Sequence, residues 1–167
     1  IVARRDCMVT RICQSETDLL KSVKLSLPPY RDRDYPDVTY QQLDDSTFAY
    51  TVRYALGKPE PGEDSSLFTF SGILRLCGAK GRLEEGNFGA DIILEEAEKE
   101  FHVICGIFTQ WRYGDTLQEG LIKMQEYEEN LARLYEEPRE YWKAFFERSA
   151  ISLPDQFLEQ IYYVNQY

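Results

Sequence analysis

The chain has 167 residues, of which 43% are hydrophobic and 14% aromatic, and its 19 Lys+Arg against 29 Asp+Glu leave a net charge of −10. So many rings exclude a disordered polymer, and no apolar stretch approaches the ~20 residues of a membrane-spanning helix. The acidic balance offers duplex phosphates no cationic surface.

The chain opens Ile1-Val2-Ala3-Arg4-Arg5, without an initiator Met or a signal segment, and enters a strand pattern at once, Cys7 to Cys13. Leu20 to Leu27 alternates polar and apolar residues and predicts a second strand. Pro28-Pro29 stops it, and Tyr30 to Pro36 is dense in turn formers. Val38 to Leu43 and Thr47 to Leu56 flank Asp44-Asp45-Ser46, which is a hairpin signal. Gly57 to Asp64 reads as a solvated loop. Leu67 to Leu76, a Gly/Lys/Arg turn region, Gly89 to Glu95 and Glu100 to Phe108 complete about seven strands. Short spacing without helical periods between them predicts an antiparallel β-sandwich over residues 1–109.

The period changes near Asp115, a residue suited to cap a helix N-terminus. Leu117, Leu121, Met124, Leu131 and Leu134 then recur at helical spacing. Pro138 interrupts the register, so a second helix is expected to start near it and run to Arg148. Ala150 to Leu153 is extended because it precedes Pro154, and Pro154-Asp155 opens a third helix. The predicted class is therefore α+β, a sandwich followed by two or three C-terminal helices: 1–109 the β part, 110–153 a helical linker, 154–167 the start of a helical domain. Charge does not mark the boundary, with 13 basic against 18 acidic residues in 1–109 and 6 against 11 in 110–167. The apolar helical pattern of Phe157 to Val164 is expected to run on to Tyr167, and both ends look cut.

Rings crowd the end of the chain: eight aromatic residues fall in 138–167. Trp142 with Phe146, and Tyr141 with Phe145, sit four apart on one helix. Two short helices cannot bury so many rings, and each large side chain gains ~1.5–3 kcal/mol on burial. Either the helices lie along the sandwich or, the favoured expectation, the set Trp142, Phe145, Phe146, Tyr162 and Tyr163 faces a further domain of the same polypeptide or a second copy in a homodimer.

Candidate chemistry is sparse. His102, the only histidine, could serve as an acid or base, but it sits in an alternating strand without a nucleophile beside it and reads as a sheet-face residue. Glu84-Glu85, Glu95-Glu96, Glu128-Glu129 and Glu136-Glu137 read as solvated faces rather than a glycosidase pair. Gly78, Gly81, Gly86 and Gly89 lack phosphate-binding spacing. Trp111 and Tyr113, following the last strand, read first as closing the bottom of the sandwich where the chain leaves it, and second as candidates for ligand contact as a sugar-stacking platform. Cys7, Cys13, Cys77 and Cys105 show no zinc or redox spacing. Lying in apolar strands, they read as reduced thiols, which favours a cytoplasmic location. No catalytic residue, metal site or cofactor is assigned, and neither nucleic acid nor membrane is an expected partner.

Three stretches, Leu67 to Leu76, Gly89 to Leu94 and Ile107 to Trp111, together with Tyr141 to Asp155 and Phe157 to Tyr167, resemble one enzyme type. It is the amino-terminal β-sandwich, linker and first barrel helix of glycoside hydrolases of family 95, more distantly family 65. Arg4 to Ile12 resembles the middle of that sandwich, so the resemblance implies that the sandwich over 1–109 is incomplete and super-sandwich-like. The resemblance implies a parent with a catalytic (α/α)6 barrel, of α-L-fucosidase type, whose carboxylates lie beyond Tyr167. This chain would then be its non-catalytic accessory and linker portion. The alternative from the residues themselves is a free-standing carbohydrate- or protein-binding sandwich, self-associating through its aromatic helices.

Overall fold

The structure, a computed structural model, describes residues 6–17, 19–26, 37–55, 67–86, 89–149 and 151–165. Six antiparallel strands and three helices make it α+β. The strands are β1 (Cys7–Cys13), β2 (Ser22–Ser26), β3 (Asp37–Gln42), β4 (Thr47–Ala55), β5 (Leu67–Gly86) and β6 (Gly89–Thr109). The helices are α1 (Thr116–Glu129), α2 (Leu131–Ser149) and α3 (Gln156–Val164). All strands belong to one sheet in the order β1-β6-β5-β4-β3, and β2 also pairs with β6. β1 and β2 therefore share one flank of β6, at residues 100–106 and 89–93 respectively.

The expected turn between Leu76 and Gly89 is strand instead. β5 runs through it, and the two segments expected at Gly89 to Glu95 and Glu100 to Phe108 are one strand, β6. Register shifts between Cys77 and Ala79 and between Lys80 and Gly81 account for the glycines. Gly78 holds φ +85°, a bulge conformation that favours glycine, so the ladder bends there without ending. Beyond the bend Gly81 N–H donates to the Asp45 carbonyl, and Gln42 Nε2 donates to the Gly81 carbonyl. Ile92, Leu94 and Ala97 then share a buried cluster with Phe48, Leu74, Leu76 and Phe101. The sheet is sandwich-like because it curls upon itself.

Cross-strand partners share a face, which gives the sheet two distinct sides. On the helix face Cys7, Ala49, Ile73, Ile104 and Phe108 receive Met124 and Tyr127 of α1 and Leu134 of α2. Two polar clamps hold α1 there. Ser71 Oγ and Thr116 Oγ1 share a buried 2.8 Å hydrogen bond. Arg75 donates from Nε to Glu128 Oε2 at 2.6 Å and from Nη1 to Thr47 Oγ1. On the open face stand Met8, Ile107, Tyr40, Tyr50, Phe68 and Phe70, and no described helix residue joins the buried cluster on that side.

Asp115 caps α1 as the sequence predicts, accepting from the Leu117 and Gln118 amides. The first helix break, however, lies at Asn130 rather than Pro138. Asn130 has φ −116° and ψ 30°, and its Nδ2 donates to the Glu126 carbonyl, closing α1. α2 begins at Leu131 and carries Pro138 inside it. Proline there removes only the bond to the Leu134 carbonyl, and the neighbouring turns continue. Asp155 caps α3 through the Phe157 and Leu158 amides, in agreement with the sequence. The loops expected at Tyr30 to Pro36 and Gly57 to Asp64 lie outside the described residues.

Candidate functional site

The C-terminal ring cluster is the most prominent candidate surface. Among the described residues Leu134 is the last that is buried, and none from Tyr135 to Asn165 is. The rings pack chiefly on one another. Trp142 lies 5.5 Å from Phe145 and 5.9 Å from Phe146, and Phe146 lies 5.9 Å from Tyr163 of α3. Tyr163 also stacks edge-on against Tyr162. Its hydroxyl donates to the Ile151 carbonyl and accepts from the Ile151 amide, and Glu159 Oε2 accepts from the Leu153 amide. These bonds fold α3 back on the extended segment before it. The opposite side of α3 carries Phe157 at 68% exposure and Val164 at 74%, with Leu158 and Ile161 between them. The structure thus brings together the five predicted interface residues, half-buried against each other. The more exposed apolar residues Phe157, Leu158, Ile161 and Val164 went unnamed in that set, although their three- and four-residue spacing displays the stripe.

The pair predicted as a single platform is split. Trp111 is 80% exposed and lies on Phe68 at a centroid distance of 4.3 Å. Tyr113 faces inward, edge-on to Phe108 at 5.2 Å. Burial pushes its hydroxyl up to about 12, reinforced by the 2.6 Å bond it donates to Asp6 Oδ2. Arg112 Nη1 reaches the same carboxylate at 2.7 Å, which fastens the turn after β6 to the entry of β1. Only Trp111 of the two presents a ring to solvent. Behind it Phe68, Phe70, Tyr50 and Tyr40 form a ring-to-ring path across the open face, with centroid spacings of 6.2 to 6.4 Å. These residues are remote in sequence and meet only through strand pairing.

Beside that path an apolar cleft of about 380 Å³ opens between β1, β2 and the centre of the sheet. Leu74 and Val103 form its floor, and Tyr50 forms one wall. The Tyr50 ring occupies the space above Gly72, where a Cβ would stand 2.2 Å from the ring carbon Cζ. Cys105 borders the cleft, and burial pushes its thiol up to about 11, so it stays protonated and unreactive near neutral pH.

His102 is half-buried on the helix face, 5.8 Å from the Tyr135 ring, in the sheet-face position its strand predicted. Among the expected solvated carboxylates Glu128 is an exception, since it grips Arg75. Arg82 pairs with both Glu84 and Glu95, and Lys80 lies 3.5 Å from Glu96. Asp44 is raised by burial, but bonds from Ser46 and Thr47 and the Arg75 charge outweigh this and hold it below the usual carboxylate range. Among the described residues none of the four cysteines forms a disulfide. Cys7 is buried, whereas Cys13 is exposed, so the apolar surroundings expected for all four do not extend to it. Among the described residues no group of three or more His, Cys, Asp or Glu could hold a metal ion, and no helix is long and apolar enough to cross a membrane.

No protein-family model matches the chain, and neither a curated protein nor a solved structure is significantly similar to it.

Proposed function

We propose that this chain is a non-catalytic accessory and linker portion of a carbohydrate-active enzyme, whose C-terminal helices dock a helical catalytic domain of the same polypeptide. One observation carries the docking part: every described residue from Tyr135 to Asn165 stays unburied, although the segment is rich in large apolar side chains. Soluble chains seldom leave contiguous apolar surface without a partner. Phe157, Leu158, Ile161 and Val164 form a stripe on a capped, well-formed helix, which suits insertion into a groove between other helices. The carbohydrate part comes from the resemblance of Tyr141 to Tyr167 to a glycosidase linker, and the substrate and linkage belong to the domain that the linker serves.

Two measurements test the reading. The purified chain is expected to leave aryl glycosides intact; hydrolysis abolished by replacing one carboxylate would overturn it. The genomic reading frame is expected to continue past Tyr167 into a helical domain, and a frame without one refutes the linker role.

A second reading, a free-standing carbohydrate- or protein-binding module, has one observation in its favour. Trp111 is exposed yet held in place by Phe68, so its indole could stack on a pyranose with little loss of rotamer freedom. Titration with oligosaccharides separates it: Trp111→Ala must abolish binding if this ring is the platform. Pairing of two copies through the aromatic helices is excluded by light scattering if the chain stays monomeric at high concentration.

A further inference from the structure

The two faces of the sheet differ in charge. Arg11, Glu100 and Arg75 stand on the helix face beside His102. On the open face, strand register lays Ile107, Gly72, Tyr50 and Tyr40 in one row, with Met8, Cys105 and Leu74 in the next. Among the described residues of β1, β3, β4, β5 and β6, no Asp, Glu, Lys or Arg stands on this face where the five strands lie side by side, in a chain of which 29% is charged. A sheet face left to water is ordinarily polar; a face without charges belongs against another surface. Its relief is self-complementary. Met8 is 45% and Ile107 53% exposed, and together they form a ridge where β1 meets β6. Beside the ridge, over Leu74 and Val103, lies the apolar hollow of about 380 Å³. The eight side-chain heavy atoms of one Met and one Ile need about 240 Å³ at roughly 30 Å³ each, by analogy with water, so such a ridge fits such a hollow. Charge selects the occupant. Two chains of net charge −10 repel one another over most approaches, and at this face they meet without bringing like charges together.

We propose that a second copy of this chain covers the open face about a two-fold axis, the Met8–Ile107 ridge of each protomer seated in the hollow of the other. Each curled sheet thereby gains the facing sheet of a sandwich, at the spacing of about 10 Å usual for stacked sheets. Gly72 keeps the contact low: any side chain there would displace the Tyr50 ring that walls the hollow. The inference uses a different surface from the docking of the C-terminal helices and does not depend on it.

The test is sedimentation of the intact chain over a concentration series, in which a monomer–dimer equilibrium is expected. Ile107→Glu would bury an unpaired carboxylate at the contact and should raise the dimer dissociation constant about a hundredfold. Met8→Lys, at the other end of the ridge, should act in the same direction, with circular dichroism confirming in both variants that the sheet persists. Phe157→Ser, which alters only α3, should leave the dimer unchanged. A chain that stays monomeric at every soluble concentration overturns the proposal, and so does a dimer that withstands both ridge substitutions. Loss of the dimer with Phe157→Ser would place the contact on α3 and overturn the sheet-face assignment. Assembly that continues past the dimer overturns the two-fold axis.

Discussion

The sheet with α1 and the two C-terminal helices are both rich in aromatic residues, yet they use them in opposite ways. Phe48, Phe101 and Phe108 are fully buried, whereas none of the described rings from Tyr135 onward is. What differs is the surface opposite each ring. Phe108 meets Tyr113 and Met124 across two elements, and the polar clamps Ser71–Thr116 and Arg75–Glu128 fix the distance between those elements. The rings of α2 and α3 meet chiefly one another, on helices linked by Tyr163 and Glu159 to a short extended segment. Ring content therefore does not make a core; a second element held in register does.

The largest expected effect tests that contrast directly. Phe108→Ala removes a fully buried ring and should cost about 3–5 kcal/mol. Phe146→Ala, an identical change in the tail, should cost about 1 kcal/mol, because a half-exposed ring gains less on folding. Urea denaturation of the two variants measures the difference. Equal losses would show that the tail is as much a core as the sheet.

Next comes the fastening of the β6–α1 turn. Tyr113→Phe deletes the bond to Asp6 and should destabilise by about 1–2 kcal/mol. The effect depends on pH with a definite sign. The folded hydroxyl holds its proton to about 12, against about 10 in an unfolded chain. Above pH ~10 the unfolded state sheds a proton that the folded state keeps, so stability falls as pH rises from about 10 to about 12. Tyr113→Phe should flatten that fall in denaturation curves taken at pH 9 and 11. A smaller loss, up to about 1 kcal/mol, is expected for Glu128→Ala, because the ion pair is partly exposed and screened by solvent. It should shrink further when Arg75→Met is made as well, which a double-mutant cycle reads.

Much of the fold was legible from local pattern. The alternation over Thr47 to Ala55, the caps at Asp115 and Asp155 and the β-to-helix change all follow from neighbouring residues alone. The largest misreading needed a partner distant in sequence. Gly78 and Gly81 resemble turn residues until β6 is laid beside them, when they become bulges in a continuous ladder. Pro138 resembles a helix start, but Asn130 with its own backbone bonds ends α1 earlier. Trp111 and Tyr113 stand two apart, yet the backbone turns there and sends one ring to solvent and the other inward, which spacing alone does not display. The path from Tyr40 through Tyr50, Phe70 and Phe68 to Trp111 has no local signature, and only the register of β3, β4 and β5 assembles it.

The smallest expected effect bears most on function. Phe157 is the first large apolar residue of α3, 68% exposed, and its backbone amide is held by the Asp155 cap whatever its side chain. Replacing it with Ser should change stability by no more than about 0.5 kcal/mol, the usual range for a surface site. The same substitution should reduce binding of a hydrophobic dye and weaken capture of the chain by the helical domain proposed to follow it. A residue built for this chain's own core would behave the other way, with a large loss of stability. If Phe157→Ser costs more than about 1.5 kcal/mol, α3 is packed within the chain, and the contrast between a closed sheet body and an open docking tail fails at its most exposed ring.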